Sequence, residues 1–320
     1  MTDHSVRDLE TGSAERLHQS ELTRRALRLT PEDGIVRSAI APLSLIRVSK
    51  TTPPMPCVTE PSLFVAIQGR KRMELASQAF IYDPLHYLVV SLALPVTGQI
   101  IEASPQAPYL CARLDIDLAM LGELLLEYDP GEPANDSDER RGLFVARMSD
   151  SLIDAILRLV RLLDTPHDIP ALAPLILREI HYRVLCGELG HRLRDLAGIN
   201  GQGKSIVEVI QLLKSRYAEP LRIEDLAAAV HMSPSTLHHR FKGLTSMSPL
   251  QFQKQLRLHE ARRLMLSEGL NAATASHRVG YNSPSQFSRE YRRLFGAPPY
   301  QEIAQQREVT TGNMLASQAW

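Results

Sequence analysis

A chain of 320 residues, 44% hydrophobic and 22% charged, has the composition of a globular protein of about two domains, which excludes a disordered or collagen-like chain. The apolar runs, such as Tyr87–Pro95 and Ala171–Leu177, are far shorter than the roughly 20 residues a membrane span needs, so no membrane partner is expected. The 36 basic and 36 acidic side chains cancel overall, but residues 201–320 hold 15 Lys and Arg against 9 Asp and Glu, a net of +6 that leaves −6 before them; only the C-terminal third suits a polyanion.

The N-terminus is polar and lacks the apolar stretch of a secretory signal, which predicts a cytoplasmic location. Residues 1–33 allow at most one amphipathic helix, on Leu17, Leu22, Ala26 and Leu29, before Pro31. From Gly34 to Asp117, short β-branched and aromatic runs alternate with turn residues. Strands are predicted at Leu43–Val48, Ser62–Ile67, Lys71–Leu75, Phe80–Tyr82, Tyr87–Leu92, Gly98–Ala103 and Tyr109–Asp115, the pattern of a sandwich or barrel. Gln68-Gly69-Arg70 reads as a hairpin turn with Gly69 at positive φ; Arg70, Lys71 and Arg72 beside it could neutralise an anionic ligand, although a basic hairpin tip is usually just solvated.

Helices follow at Leu118–Glu127, Phe144–Leu163 and Ala171–Leu196, the last with a wide apolar stripe suited to a homodimer interface or to its own domain. Residues 199–203, with two Gly and an Asn, read as a linker.

Beyond it lies an approximate repeat of about 50 residues. Leu226, Ala227 and Val230 precede Ser233-Pro234-Ser235-Thr236-Leu237, and Ala275, Ser276 and Val279 precede Ser283-Pro284-Ser285-Gln286-Phe287. Each copy is a short helix, a turn and a second helix opened by a Ser cap and Pro, so two helix-turn-helix (HTH) units are predicted. Gln286 would complete a capping box with Ser283, and Gly280 falls where the turn needs a left-handed residue. Leu237 and Phe241, like Phe287 and Tyr291, face inward by their four-residue spacing. Ser235, Thr236, His238, His239 and Lys242, and in the second copy Ser285, Gln286, Ser288, Arg289 and Arg292, are the donors and acceptors left to read base edges or hold phosphates of double-stranded DNA. A connecting helix, Pro249–Met265, buries Phe252, Leu256, Ala261, Leu264 and Met265 and points Lys254, Arg257, Arg262 and Arg263 outward. Recognition helices held about 34 Å apart would enter successive major grooves and read about 20 base pairs.

The run from Arg278 to Pro299, with Arg257, Ala261 and Arg262, resembles the C-terminal signature of AraC/XylS-type bacterial transcription regulators, the similarity extending over residues 204–300. Pro61–Arg72 and Tyr82-Asp83-Pro84 resemble the N-terminal sensor domain of one AraC subgroup. The resemblance implies an α+β chain: a cupin-like β-barrel at 34–117 that binds a small-molecule effector, helices at 118–198 that can dimerise, an all-α DNA-binding domain at 204–300 and a tail at 301–320. It also implies RNA polymerase as a partner and base contacts at Ser235, His238, His239, Ser285, Ser288 and Arg289. His238 and His239 stand where Gln and Arg are frequent in the family, and His231 where the turn often has Gly, a position His tolerates.

Two alternatives have a residue basis. A cupin-type enzyme with a DNA-targeting domain would need several metal-ligating histidines, yet residues 34–117 hold only His86, so no catalytic residue, metal or cofactor is assigned. Cys57, next to Pro56 in an expected loop, could act as an exposed thiolate sensing oxidants or electrophiles, while Cys111 and Cys186 read as small core residues. Three cysteines without short spacing argue against a disulfide framework or zinc cluster. The effector-binding residues stay unassigned, because a one-residue slip of register exchanges the two faces of a strand.

Overall fold

The computed structural model describes residues 17–128, 141–197 and 202–312. Residues 1–16 of the N-terminal segment, 199–201 of the expected linker and 313–320 of the tail lie outside the described residues; Gln202 and Gly203 already belong to a helix.

A first helix, α1 (residues 17–29), leads into ten antiparallel strands. These are β1 (Gly34–Arg37), β2 (Leu43–Val48), β3 (Met55–Thr59), β4 (Ser62–Gln68), β5 (Arg70–Leu75), β6 (Gln78–Tyr82), β7 (His86–Val90), β8 (Leu94–Glu102), β9 (Tyr109–Asp115) and β10 (Leu143–Arg147). They form a six-stranded sheet in the order β1-β2-β9-β4-β7-β10 and a four-stranded sheet in the order β3-β8-β5-β6. Among the described residues no strand pairing joins the two, so of the sandwich or barrel expected, the strands form two sheets around a shared core without a closed barrel. Gly69, with φ of 76°, makes the β4–β5 turn.

The six-stranded sheet is covered on both faces, which explains the unbroken apolar runs of its central strands. Along β4, Phe64 and Ala66 enter the core shared with the second sheet, beside Met73, Leu75, Tyr82 and Val96, whereas Leu63, Val65 and Ile67 face the helical layer. That layer contains α1, α2 (Leu118–Glu127), α3 (Asp150–Arg161), α4 (Ile169–Leu185) and α5 (Gly190–Ala197). The expected helix at 144–163 is therefore a strand and a shorter helix, because Phe144–Arg147 pair with His86–Val89. The expected helix at 171–196 is two helices, broken between Leu185 and Gly190.

Three other expectations are corrected. Cys57 lies in β3, paired opposite Val96 and buried, and burial pushes its thiol pKa up; an exposed thiolate sensor is excluded. Cys186, expected in the core, is exposed at the end of α4. Lys71 is not at a solvated tip: it alternates with Arg72 along β5, is 3% exposed between the sheets, and lies 5.7 Å from the Phe64 ring centre.

The C-terminal helices are α6 (Gln202–Ser215), α7 (Ile223–Ala229), α8 (Pro234–Thr245), α9 (Pro249–Ser267), α10 (Ala272–Arg278), α11 (Pro284–Phe295) and α12 (Pro299–Gly312). Ile206, Val209, Leu213, Leu226, Leu237, Phe241 and Phe252 belong to the same apolar cluster as the interior between the sheets. Across this junction the Gly142 amide donates to the Leu244 carbonyl (2.9 Å) at the end of α8, and Lys214 pairs with Glu60 (2.5 Å). No described helix is long and apolar enough to cross a membrane.

Candidate nucleic-acid interface

The two repeats fold as α7–turn–α8 and α10–turn–α11. In the first, His231 takes φ of 54° in the turn, and the Ser233 hydroxyl accepts from the Thr236 amide (3.2 Å) with Pro234 opening the helix. The second has Gly280 at φ of 87° and Ser283 accepting from the Gln286 amide (3.3 Å). The expected capping box is only half formed there, because the Gln286 side-chain amide donates to Glu290 (3.2 Å) instead of returning to Ser283. A complete box occurs at Ser248 and Gln251, at the start of α9.

Leu237, Phe241, Phe287 and Tyr291 are fully buried, which turns the opposite faces of α8 and α11 outward. Ser235, His238, His239 and Lys242 are exposed on α8, and Thr236 is half-buried with its hydroxyl at the Ser233 cap (2.8 Å). Ser285, Gln286, Arg289 and Arg292 are exposed on α11, with Ser288 half-buried beside them.

The basic residues sort by partner. Arg263 pairs with Glu260 (2.7 Å), Arg278 with Glu268 (2.7 Å) and Lys254 with Glu290 (3.0 Å). Lys242, Arg289 and Arg292 have no hydrogen-bond or ion-pair partner among the described residues. Lys242, Arg289 and Arg292 thus leave positive charge on the two outward faces that no partner among the described residues neutralises.

Arg257 and Arg262, expected outside, turn inward. Arg262 donates from Nε (3.0 Å) and Nη2 (2.7 Å) to Glu302 Oε1, and the Tyr291 hydroxyl donates to Glu302 Oε2 (2.8 Å). This buried triad ties α9, α11 and α12 together. The signal in the sequence was α9 itself: Arg257 sits between Leu256 and Leu258, so charged and apolar residues do not separate onto two faces as they would on a solvated helix.

His259, also on α9, packs edge-on against Phe295 (5.3 Å), and its Nε2 is enclosed with no hydrogen-bond partner among the described residues. Burial, with nearby Arg262, pushes its pKa from 6.5 down to about 3. The folded state holds this imidazole neutral while the unfolded chain protonates it below 6.5, so stability is full above that pH and is lost as pH falls toward 3. We expect about 2 kcal/mol less stability at pH 5 than at pH 7 from this group. Denaturant titrations of wild type and His259→Phe would check it, and an unchanged pH slope in the variant would refute the assignment.

Residues 39–192 match the family profile of an AraC-type transcriptional regulator N-terminus, and residues 226–304 match that of a helix-turn-helix domain. The chain belongs to the AraC/XylS family of transcriptional regulators. Its family relatives include the HTH-type transcriptional regulator CdhR of Pseudomonas aeruginosa, 33% identical over 113 residues, 35% of this chain and 34% of CdhR. The HTH-type transcriptional activator RhaS of Enterobacter sp. is 25% identical over 164 residues, 51% of this chain and 58% of RhaS. GbdR of Pseudomonas aeruginosa is 31% identical over 110 residues, 34% of this chain and 29% of GbdR. The chain thus spans from about a third to somewhat over half the length of these AraC-family relatives. An apo point variant of ToxT from Vibrio cholerae has the same fold, with a TM-score of 0.54 at 11% identity over 82% of this chain and 96% of ToxT. ToxT bound to (E)-4-(8-methylnaphthalen-1-yl)but-3-enoic acid gives a TM-score of 0.53 at 12% identity over 82% of this chain and 97% of ToxT.

Proposed function

We propose that this AraC-family protein is a non-enzymatic, cytoplasmic transcription regulator that binds a promoter site in double-stranded DNA through α8 and α11 and is modulated by a small-molecule effector. The observation that carries the reading is the pair of outward faces, on which capped helices present Ser235, His238, His239, Lys242, Ser285, Ser288, Arg289 and Arg292 while the other basic residues of α9 are engaged within the protein. Residues 34–117 form the effector domain in this reading, 118–198 its helical companion and 204–300 the DNA-binding domain. Exposed Leu126, Leu172, Leu175 and Tyr182 on α2 and α4 supply a face for a homodimer, and RNA polymerase is the partner through which a bound regulator acts.

Selection of duplexes from a random library by the full-length protein, at near-physiological salt with excess competitor, tests this. Two enriched blocks about one helical turn apart support it, and loss of enrichment in the presence and absence of added effectors counts against it. Arg289→Ala should relax preference at one base position by about 1 to 3 kcal/mol. Equal weakening on selected and random DNA would instead make Arg289 a phosphate contact.

The effector is proposed to lie between the sheets. ToxT has been solved with an unsaturated fatty acid and with a naphthalenyl butenoic acid. Here Lys71 and the hydrogen-bonded pair Tyr82–Tyr109 (3.0 Å) bring polar atoms into an otherwise apolar interior, a setting suited to an acid with an apolar body. An unsaturated fatty acid is the first probe. It should raise the melting temperature of wild type and not that of Lys71→Met; equal shifts in both would remove Lys71 from the site.

A further inference from the structure

The C-terminal domain has two apolar cores. The first half of α9, with Phe252 and Leu256, packs with α6, α7 and α8, whereas the second half, with Leu258, Ala261, Leu264 and Met265, packs with α10, α11 and α12. The angle between the recognition helices is therefore set by α9 and by the seam where the halves meet.

That seam is polar and dense. The three carbonyls that follow α6, of Tyr217, Ala218 and Glu219, meet the turn of the second HTH unit. Arg257 donates from Nε to Tyr217 O (2.7 Å), from Nη2 to Glu219 O (3.0 Å) and from Nη1 to Gly280 O (3.0 Å), so one guanidinium holds both halves. Gln253, one turn earlier, donates to Glu219 O (2.7 Å) and Tyr217 O (3.0 Å). Gly280 is pressed so close that a Cβ there would lie 2.1 Å from Ala218 O. The guanidinium stacks 6.0 Å from the Tyr281 ring centre, and the Tyr281 hydroxyl donates to Glu290 (2.8 Å) on α11, so the contact reaches the second recognition helix. Charge-assisted bonds in a planar fork resist rotation in a way one ammonium cannot.

We infer that Arg257, assisted by Gln253, is a positioning residue that fixes the spacing between the two blocks of DNA sequence the protein accepts. The inference rests on the two-block reading proposed above. One inserted base pair displaces the second block by about 3.4 Å and turns it by about 35°, so only a rigid seam makes the protein sensitive to it.

The test uses full-length protein and duplexes carrying the selected blocks at their selected spacing, with one base pair added, and with one removed. Wild type should bind the altered spacings about tenfold or more weakly. Arg257→Lys, with the wild-type thermal transition, should bind a single isolated block as wild type does, yet lose no more than about threefold on changing the spacing. Gln253→Met should fall between the two, and it carries the test if Arg257→Lys does not fold. A spacing penalty that stays at the wild-type value in the folded variants overturns the inference, even if overall affinity falls. So does a wild type that selects two blocks but tolerates any spacing. A wild type that selects no two-block site overturns the functional reading itself, and the inference with it.

Discussion

Leu237→Asp is expected to abolish cooperative folding of the first HTH unit. Leu237 has no exposed surface and shares its core with Phe241 and Phe252, whose rings meet edge to face at 5.4 Å. Truncating such a side chain to Ala costs about 2 to 5 kcal/mol through lost burial and the remaining cavity. The aspartate adds a carboxylate that must either ionise without a partner or stay protonated at neutral pH, a further penalty of several kcal/mol. The sum approaches the whole stability of an ordinary domain, about 5 to 15 kcal/mol. Circular dichroism on heating should show loss of the helical transition, with Leu237→Ala lowered but still cooperative. An unaltered melt for the aspartate variant would contradict the inward face of α8, and with it the outward face proposed for DNA.

The second large effect lies in the triad of Arg262, Glu302 and Tyr291. Arg262→Met leaves the buried Glu302 carboxylate with only the Tyr291 hydroxyl, and a buried pair broken on one side costs about 3 to 5 kcal/mol. Adding Glu302→Gln should restore much of that loss, since a neutral amide needs no counter-charge. Chemical denaturation of the two variants would check the pattern. If the double variant is no more stable than Arg262→Met, the cost lies in lost packing of the guanidinium on the Phe295 ring, 5.1 Å away, rather than in charge.

The HTH repeat was legible because its signals are local. A Ser cap, a Pro at the first turn and apolar residues four apart lie within a dozen positions of one another. His231 and Gly280 both take the left-handed turn conformation read from their positions. Two of the elements missed, β10 and β3, pair with distant strands. β10 was hidden because Leu143–Arg147 becomes a strand only through pairing with β7, more than fifty residues earlier. β3 was hidden because Pro56 argues against a strand, and it is tolerated here since β3 is the edge of its sheet. Lys71 shows the same limit inside a strand correctly located. Its place on one face with Met73 and Leu75 follows from the two-residue period of a strand, but a lysine beside a hairpin turn gives no local sign that its face is the buried one.

The junction between the sheets and α6–α8 bears on how the molecule comes apart. By sequence the natural cut falls near residue 200, between the segments matched by the two family profiles. By packing, the first HTH unit shares one apolar cluster with the sheet interior, and the second has its own from Leu258 onward. Inheritance and packing thus divide the chain at different places: a fragment beginning at Gln202 would uncover Ile206, Val209, Leu213 and the other side chains that share the cluster of the sheet interior, so the boundary visible in the sequence is not a boundary of the core.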